Sequence, residues 1–280
     1  MSEYAQLDAD ELAVIFDQFI APSYHISPSE QPVLYMVGAQ PGAGKTRAIA
    51  RVAAAHTDAC EVSGDDLRAY HPDYAAMMDD DALRMPDLTR DASGTWVRMS
   101  LDYLRLRKAS VIVETTFAHP EANERTLDIF RKAGYRTVII VVATPAPLSL
   151  LGILERYADQ VERNGSGRWT DPEYHDQVVR QLPVSVQLLV QNGHADETDI
   201  IDRAGNPLFQ ARIGEANRDI VASQLADAVK AGLSPESLDD GQRQSAMESL
   251  HRIAGILQQT KSADVRISPL MERLQADFNA

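Results

Sequence analysis

The clearest chemical pattern in the chain is the octapeptide at residues 39–46, Ala-Gln-Pro-Gly-Ala-Gly-Lys-Thr. Small residues at these positions let backbone N–H groups turn inward around nucleotide phosphates, the lysine reaches the β- and γ-phosphates, and the threonine hydroxyl ligates Mg²⁺. The pattern therefore predicts a phosphate-binding P-loop for ATP or GTP. The residues expected to bind the nucleotide are Gln40, Pro41, Gly42, Ala43, Gly44, Lys45 and Thr46, and Thr46 is also the expected metal ligand.

The segments on either side of this loop support that interpretation. The apolar run 33–38 predicts a buried strand, and residues 47–55 are good helix formers, so a helix N-terminus would lie under the phosphates. Ala39 stands where the pattern usually has its first glycine, but a small side chain still leaves room for the turn. A chance match is the alternative; strand, loop and helix nevertheless follow in the required order.

A second polar group, Ser-Gly-Asp-Asp at residues 63–66, follows the short apolar run 59–62. A carboxylate at the end of a parallel strand projects toward the crevice that holds the γ-phosphate. There it orients or deprotonates an attacking hydroxyl, as a kinase requires. We therefore expect Asp65 to be the general base. The alternative is that Asp65 or Asp66 caps the next helix.

The same stretch contains two weaker candidates. Arg68 is a possible substrate-binding residue, but an ion pair with a neighbouring acid such as Asp66 would also explain it. His71 precedes Pro72, a position more typical of a residue that shapes a turn.

A third group, Glu-Thr-Thr at residues 114–116, ends the apolar run 110–114. Glu114 and Thr116 suit a pocket that hydrogen-bonds a polar acceptor, and the chain has no Asn-Lys-x-Asp stretch for guanine recognition. The alternative is that Glu114 merely ends the strand and that the threonines serve β-propensity. His119 is a further candidate donor to a substrate phosphate, although a histidine before proline is more often a turn residue.

Two arginines flank the glycine-containing stretch Asn-Gly-Ser-Gly at residues 164–167. Phosphoryl transfer spreads negative charge over the migrating group, and P-loop kinases commonly neutralise it with arginines on a mobile lid. Arg156 and Arg168 are therefore candidate catalytic residues together with Lys45. A solvated loop with surface arginines is the alternative.

Apolar strand patterns alternate with helical ones over the first two hundred residues, which predicts an α/β fold with a parallel sheet covered by helices on both faces. The loop, Asp65, Glu114 and Thr144 would then meet beyond the carboxyl ends of the strands. From about 208 onward the pattern predicts only helices, so the expected division is a P-loop kinase domain at 1–207 and a helical C-terminal extension at 208–280. The expected strands are 33–38, 59–62, 110–114, 137–143 and 198–202.

Composition narrows the choice of partners. The 280 residues include 27 Lys and Arg against 41 Asp and Glu, a formal charge of −14 that argues against a grip on duplex nucleic acid. Cys60, the single cysteine, fits a reducing compartment and a buried strand position. The sequence shows neither a signal-peptide pattern nor about 18 consecutive apolar residues. We therefore expect a soluble cytoplasmic protein with no nucleic-acid or membrane partner.

Taken in order, these motifs resemble the zeta toxin family. The resemblance spans about 33–180 and rests on Gln-Pro-Gly-Ala-Gly-Lys-Thr, Gly-Asp-x-x-Arg-x-x-His-Pro-x-Tyr, Glu-x-Thr, the two arginines, and His175-Asp176. It implies an ATP-dependent kinase of a toxin-antitoxin system that phosphorylates the 3′-hydroxyl of UDP-N-acetylglucosamine and is blocked by a small helical antitoxin. It also implies roles for particular residues: ATP and Mg²⁺ at Lys45 and Thr46, general base at Asp65, sugar nucleotide at Glu114 and Thr116, and phosphate clamps at Arg156 and Arg168.

This chain departs from the family pattern on the acceptor side. Where many members have an arginine shortly after Glu-x-Thr, it has Ala118 and His119, and the next arginine is Arg125. The segment 85–100 also matches only loosely. Two alternatives to a UDP-N-acetylglucosamine kinase therefore stay open: a kinase for another nucleotide-like or sugar metabolite, and a non-catalytic nucleotide-dependent binding module.

Overall fold

The computed structural model describes residues 4, 6–81, 84–165, 167–260 and 267–279. Its six strands are β1 Val33–Gly38, β2 Cys60–Val62, β3 Val111–Thr115, β4 Arg136–Val142, β5 Glu197–Ile201 and β6 Pro207–Arg212. The helices are α1 Ala9–Ile15, α2 Lys45–Ala55, α3 Gly64–Leu67, α4 Tyr74–Asp81, α5 Met85–Leu88, α6 Arg90–Leu106, α7 Pro120–Lys132, α8 Ala146–Asn164, α9 Pro172–Gln191, α10 Arg218–Leu233, α11 Asp240–Gln259 and α12 Ile267–Asn279. Helix α1 continues as a π-helical turn at Phe16–Ile20.

The strands form one sheet in the order β2-β3-β1-β4-β5-β6. Strands β1 to β5 are parallel, and β1 lies in the centre between β3 and β4. The carboxyl ends of β1, β2 and β3 therefore lie side by side, and the loops that follow them meet at one edge of the sheet. This confirms the α/β fold and the expected position of the polar groups.

Helices cover both faces of the sheet, because successive side chains of a strand point to opposite sides. Val33, Tyr35 and Val37 of β1 pack on the face that carries α2. Leu34 and Met36 pack on the other face, in a larger core that also contains Trp96 of α6 and residues of α7, α9 and α10. All six residues of β1 are buried, as its continuous apolar run predicts.

One prediction about the second half of the chain is wrong. Residues 207–212 form β6, which runs antiparallel to β5, instead of beginning a helix. Phe209 and Ala211 alternate onto the larger core with Ile213, so the period-two signal of a strand is present, although Pro207 at its start obscures it. The division into two domains at residue 207 stays a prediction. Strand β6 and helix α10, which follow that residue, both pack on the sheet core.

The last two helices make a third apolar cluster with α8. Leu150, Ile153 and Leu154 of α8 are buried in this cluster, together with Leu250 and Ile253 of α11 and several residues of α12. One side of helix α8 is therefore covered by the C-terminal helices α11 and α12. None of the helices in the described part of the chain combines the length and the apolar character required to cross a membrane.

Candidate active site

The loop between β1 and α2 has the backbone shape that a phosphate cradle needs. Gly42 and Gly44 have positive φ angles of 75° and 92°, a region that glycine adopts without strain. A Cβ atom on Gly42 would lie 1.9 Å from the Ser149 carbonyl oxygen, so the loop packs directly on α8. Pro41 and Ala43 are buried, and the Thr144 hydroxyl donates to the Ala43 carbonyl at 2.9 Å. Thr144 thus joins the loop, as predicted.

Lys45 folds back over this loop. Its Nζ lies 3.3 Å from the Ala39 carbonyl oxygen and 3.8 Å from Glu114 Oε1. Burial lowers the pKa of Lys45, and the neighbouring carboxylates of Glu114 and Asp65 counter that effect only in part. Thr46, the next residue, is exposed toward the open side of the loop. The lysine is therefore held at the loop by weak carbonyl contacts that a phosphate oxygen would replace.

Asp65 lies in the first turn of α3, directly after β2, and is the centre of an ion-pair network. Its Oδ2 accepts from Arg168 at 2.6 Å and its Oδ1 accepts from Arg68 at 3.2 Å, while 40% of the side chain stays exposed. Burial alone would raise the pKa of Asp65, but the hydrogen bond and charge of Arg168, together with those of Arg68, outweigh it and bring the pKa down to about 2. Because Ser63 is the N-cap residue of α3, Asp65 does not cap the helix.

Arg68 pairs with a neighbouring acid, the alternative given above, but the acid is Asp65 and not Asp66. The reason is helical geometry: residues three apart lie on the same side of a turn, whereas residues two apart do not. Arg68 also donates to the Pro86 carbonyl and to Thr89 Oγ1, both at 2.7 Å. It therefore anchors Asp65 to the segment before α6. His71 accepts from the backbone N–H of Asp73 at 3.2 Å and shapes a turn, as predicted.

Glu114 lies near the end of β3, next to the loop lysine, and Thr116 follows directly after the strand. Glu114 accepts from Ser63 Oγ at 2.9 Å, and its other oxygen faces Lys45. Thr116 Oγ1 lies 3.3 Å from the Tyr174 hydroxyl, which reaches across from the start of α9. His119 immediately precedes α7 and is exposed. Glu114 thus faces Lys45 and Thr116 faces Tyr174, whereas His119 is exposed at the start of α7.

The two candidate lid arginines come from α8 and from the segment that follows it. Arg156 donates to Thr170 Oγ1 at 2.8 Å, and Arg168 pairs with Asp65. Burial and the nearby charge of Arg168 lower the pKa of Arg156. Within the described residues, the Nε atoms of both arginines are buried and lack a hydrogen-bond acceptor. Arg168 therefore contacts Asp65, Arg156 lies near it, and each arginine keeps one N–H donor without an acceptor. Ser166 of the expected lid lies outside the described residues.

The sequence analysis did not predict three residues that lie in this region: Phe117, Tyr174 and Arg203. A pocket of about 400 Å³ opens beside the loop and is lined by Gly44, Thr46, Arg47, Ala50 and Arg203. Tyr174 faces Thr116, and Phe117, with a positive φ of 55°, lays its ring where a Cβ atom on Gly38 would be. Of these residues, only Arg203 could have been predicted from the sequence, because it follows the end of β5 and therefore lies at the same edge of the sheet.

Together, the central P-loop strand, the acidic strand ends and the converging arginines define a P-loop α/β fold of the kinase-like class. A family model described as Zeta toxin matches residues 21–213. The chain therefore belongs to the zeta toxin family, which confirms the resemblance of its motifs.

Individual relatives agree with this assignment. Toxin PezT of Streptococcus pneumoniae serotype 4 is 24% identical over 218 residues, which cover 77% of this chain and 86% of PezT. Toxin zeta of Streptococcus pyogenes is 24% identical over 187 residues, covering 65% of this chain and 64% of that toxin, slightly less than two thirds of its length. A solved structure of the PezAT chromosomal toxin-antitoxin system of S. pneumoniae shares the fold, with a TM-score of 0.73 at 19% identity over 93% of this chain and all of that chain.

Proposed function

We propose that the protein is an ATP-dependent kinase that transfers the γ-phosphate of ATP to a hydroxyl of a sugar nucleotide, the 3′-hydroxyl of UDP-N-acetylglucosamine, as the toxin of a toxin-antitoxin system. The observation that carries the proposal is the convergence of a loop lysine, an ionised carboxylate and two arginines. Lys45, Asp65, Arg156 and Arg168 come from four separate segments, and each of the other three contributes to the electrostatic environment of Lys45. A module that only binds nucleotide would not need a carboxylate held among the phosphate-binding cations.

Asp65 supplies the base in this proposal. Its carboxylate accepts the proton of the acceptor hydroxyl as the oxygen forms a bond to the γ-phosphorus, while the bond between that phosphorus and the β,γ-bridging oxygen breaks and ADP leaves. A pKa of about 2 keeps Asp65 ionised at neutral pH, although it also makes the carboxylate a weak base. Any movement of Arg168 from Asp65 toward a phosphate would raise that basicity at the moment of transfer.

The cations neutralise the charge that spreads over the transferring group. Lys45 lies where the β- and γ-phosphates would rest on the loop, and the unpartnered Nε atoms of Arg156 and Arg168 offer donors to equatorial oxygens. The two positive-φ glycines leave the loop's N–H groups free of side-chain obstruction. These features fit ATP, and the pocket beside Gly44 and Arg203 has room for its base.

Mg²⁺ fits the same arrangement through Thr46, whose exposed hydroxyl is the one predicted ligand from the chain. Such sites usually take one or two protein oxygens and complete the shell with waters and substrate phosphates. When bound, the ion would neutralise the β- and γ-phosphate oxygens. Among the described residues, no group of three or more His, Cys, Asp or Glu side chains could hold a metal elsewhere.

The acceptor would lie against Glu114, Thr116 and Arg68, of which Arg68 pairs with Asp65 and Glu114 faces Lys45. One observation favours a second candidate, a kinase for another nucleotide-like or sugar metabolite. No arginine follows Glu-x-Thr closely, His119 is exposed at the rim, and Arg125 lines a different pocket with Glu121 and His194. A sugar nucleotide's diphosphate would therefore depend on fewer cations than the family pattern provides.

A small helical antitoxin and a cytoplasmic location complete the proposal. They are supported by the family assignment and by the toxin-antitoxin context of PezT's structure. The acidic composition supports the absence of a nucleic-acid partner.

The test is transfer by the purified protein. It is incubated with ATP, Mg²⁺ and a panel of UDP-sugars, nucleosides and dinucleotides, and mass spectrometry records a phosphate-sized gain. We expect the gain on UDP-N-acetylglucosamine, and we expect Asp65→Asn to lower kcat by about 10²- to 10⁴-fold while ATP affinity changes by no more than about threefold. Asp66→Asn, one residue further along α3, is the matched control and should keep full activity.

Each outcome addresses a different part of the proposal. A gain on another metabolite alone would keep the kinase and remove the sugar nucleotide. ATP binding with no transfer to any acceptor would support a binding module. Full activity in Asp65→Asn would reject Asp65 as the base.

A further inference from the structure

A chain of polar contacts joins the P-loop to the C-terminal helix α12; its P-loop end is buried, and its α12 end is exposed. Gln40 Nε2 lies 3.1 Å from Ser149 Oγ, Ser149 Oγ lies 2.7 Å from His175 Nε2, and His175 Nδ1 lies 3.0 Å from Asp176 Oδ1. Arg273 of α12 closes the chain with two hydrogen bonds to the Asp176 carboxylate, at 2.7 and 3.1 Å. We call these five residues the relay. It connects four separate segments of the molecule.

The chemistry of the groups fixes the direction of each hydrogen bond. The carboxylate of Asp176 only accepts, so His175 Nδ1 carries the proton and donates to it. In the neutral ring Nε2 is then an acceptor, and burial lowers the pKa of His175, which favours that neutral form. The Ser149 hydroxyl has one proton and donates it to His175, the nearer acceptor at 2.7 Å against 3.0 Å for the Ala146 carbonyl, and its oxygen accepts from the Gln40 amide. Arg273 thus holds the Asp176 carboxylate that orients His175, and the hydrogen bonds continue from there through Ser149 to the Gln40 amide.

Within the described part of the chain, the side chain of Gln40 is held through its amide nitrogen alone. Its Nε2 donates to the Thr144 carbonyl at 2.6 Å as well as to Ser149, whereas among the described residues its buried Oε1 has no hydrogen-bond partner. Turning the amide over would place the oxygen against the Thr144 carbonyl, which cannot donate. The backbone carbonyl of Gln40 also lies 3.5 Å from Lys45 Nζ. The conformation of Gln40 therefore bears directly on the loop and its lysine.

Ser149, His175 and Asp176 have the connectivity of a hydrolase triad, but burial rules out that use. The side chains of Gln40, Ser149 and His175 have no exposed surface, and Ser149 Oγ also contacts the Ala146 carbonyl oxygen at 3.0 Å. A nucleophile must be reached by its substrate, and this hydroxyl is enclosed by its own partners. The arrangement is suited to holding backbone in place.

We propose that Arg273 is a positioning residue for the P-loop and that helix α12 acts, through the relay, as a built-in support for nucleotide binding. The inference rests on the proposed ATP-binding function and assigns a role to the C-terminal extension, which carries no phosphate-binding motif of its own. Helices α11 and α12 pack on α8, and the relay crosses from α12 to α9, to α8 and then to the loop. The packing of the C-terminal extension on α8 therefore affects the conformation of the P-loop.

The test measures the ATP dissociation constant of the full chain by titration calorimetry. Arg273→Gln should weaken ATP binding by about fivefold, the size expected from the net contribution of one hydrogen bond. Arg252→Gln is the matched control, because Arg252 of α11 also forms an ion pair with the body, to Asp159 of α8 at 2.9 Å, but lies outside the relay. It should leave the ATP dissociation constant unchanged. Arg273→Lys, which keeps the charge, should restore part of the affinity.

A double-mutant cycle separates the relay from general loosening of α12. Ser149→Ala breaks the relay near the loop without touching α12 and should weaken ATP binding by a similar factor. The double variant Ser149→Ala/Arg273→Gln should bind about as weakly as either single variant, because the relay is already broken. The proposal would be overturned if the losses of ATP affinity in the two single variants multiplied in the double variant. It would also be overturned if the Arg273→Gln and Arg252→Gln proteins bound ATP with equal affinity. A wild-type chain that does not bind ATP would instead reject the proposed function itself.

Discussion

The two halves of the candidate site are built in different ways. The donor half is a continuous stretch of backbone, residues 38–46, which is largely buried and packed directly on α8. The acceptor half is assembled from side chains of three separate segments, among them Thr116, Tyr174 and the exposed His119. Phe117 links the two, since its ring lies against Gly38.

Because of this difference, nucleotide binding and the choice of acceptor depend on different parts of the candidate site. Backbone geometry enforced by close packing leaves little freedom, so the donor half is specified by a short motif. Exposed side chains tolerate replacement far more easily, so acceptor identity can change without disturbing the fold. The same contrast predicts how each half responds to substitution.

The largest effect is expected in the donor half. Gly42→Ala places a methyl group 1.9 Å from the Ser149 carbonyl oxygen at a residue whose φ is 75°. The loop must move, and ATP binding should weaken by more than about 100-fold, as expected when several loop hydrogen bonds are lost together. Titration calorimetry measures this loss.

Gly134→Ala is the matched control for that prediction. Gly134 also has a positive φ, 86°, but a Cβ atom there would meet nothing within 4 Å. Its replacement should cost about 1–2 kcal/mol of stability from backbone strain alone and leave the ATP dissociation constant unchanged. If both alanine variants weakened ATP binding equally, packing of the loop on α8 would not be what shapes the donor half.

A smaller effect is expected in the acceptor half. Thr116→Val keeps the side-chain shape and removes the hydroxyl that faces Tyr174, so KM for the acceptor should rise by about two- to tenfold. KM for ATP should stay the same. Thr126→Val, on the surface of α7 where the hydroxyl donates to the Ala122 carbonyl, serves as control and should change neither constant. A rise in KM for ATP in Thr116→Val would show that the two halves are not separable.

The same contrast explains what could be predicted from the sequence. The P-loop, the strand-end acids and the sheet are local features, and the structure confirms their positions. The pairing of Arg68 with Asp65 follows from a three-residue helical spacing that the linear pattern alone did not resolve. Strand β6 was missed because a proline at its start obscured a weak alternation.

Contacts between residues far apart in the sequence could not be predicted for a different reason. Tyr174 meets Thr116 across 58 positions, and Arg273 meets Asp176 across 97. Such pairs arise only when the sheet and its helices pack. The relay therefore has no sequence signature, although His175 and Asp176 stood out as neighbours in the chain.

The smallest predicted effect concerns the ion pair of Asp65 with Arg168, two residues that lie outside the donor loop 38–46. The pKa of Asp65 is about 2, below its ordinary value of 3.8. The folded state therefore binds this proton less readily than the unfolded chain, and the pair stabilises the fold above about pH 4. That contribution is lost as the pH falls toward 2. Because 40% of the Asp65 side chain is exposed, solvent screening keeps the contribution modest.

Arg168→Gln removes the strongest of the attractions that lower this pKa, so the pKa of Asp65 should rise from about 2 toward 3.8. Arg68 remains and keeps it from rising fully. Arg156→Gln is the control: Arg156 donates to Thr170, and its loss should move the pKa of Asp65 less. Carbon-detected NMR titration of the carboxyl group measures both variants. An unchanged pKa in Arg168→Gln would mean that Arg168 does not pair with Asp65 in solution when no nucleotide is bound.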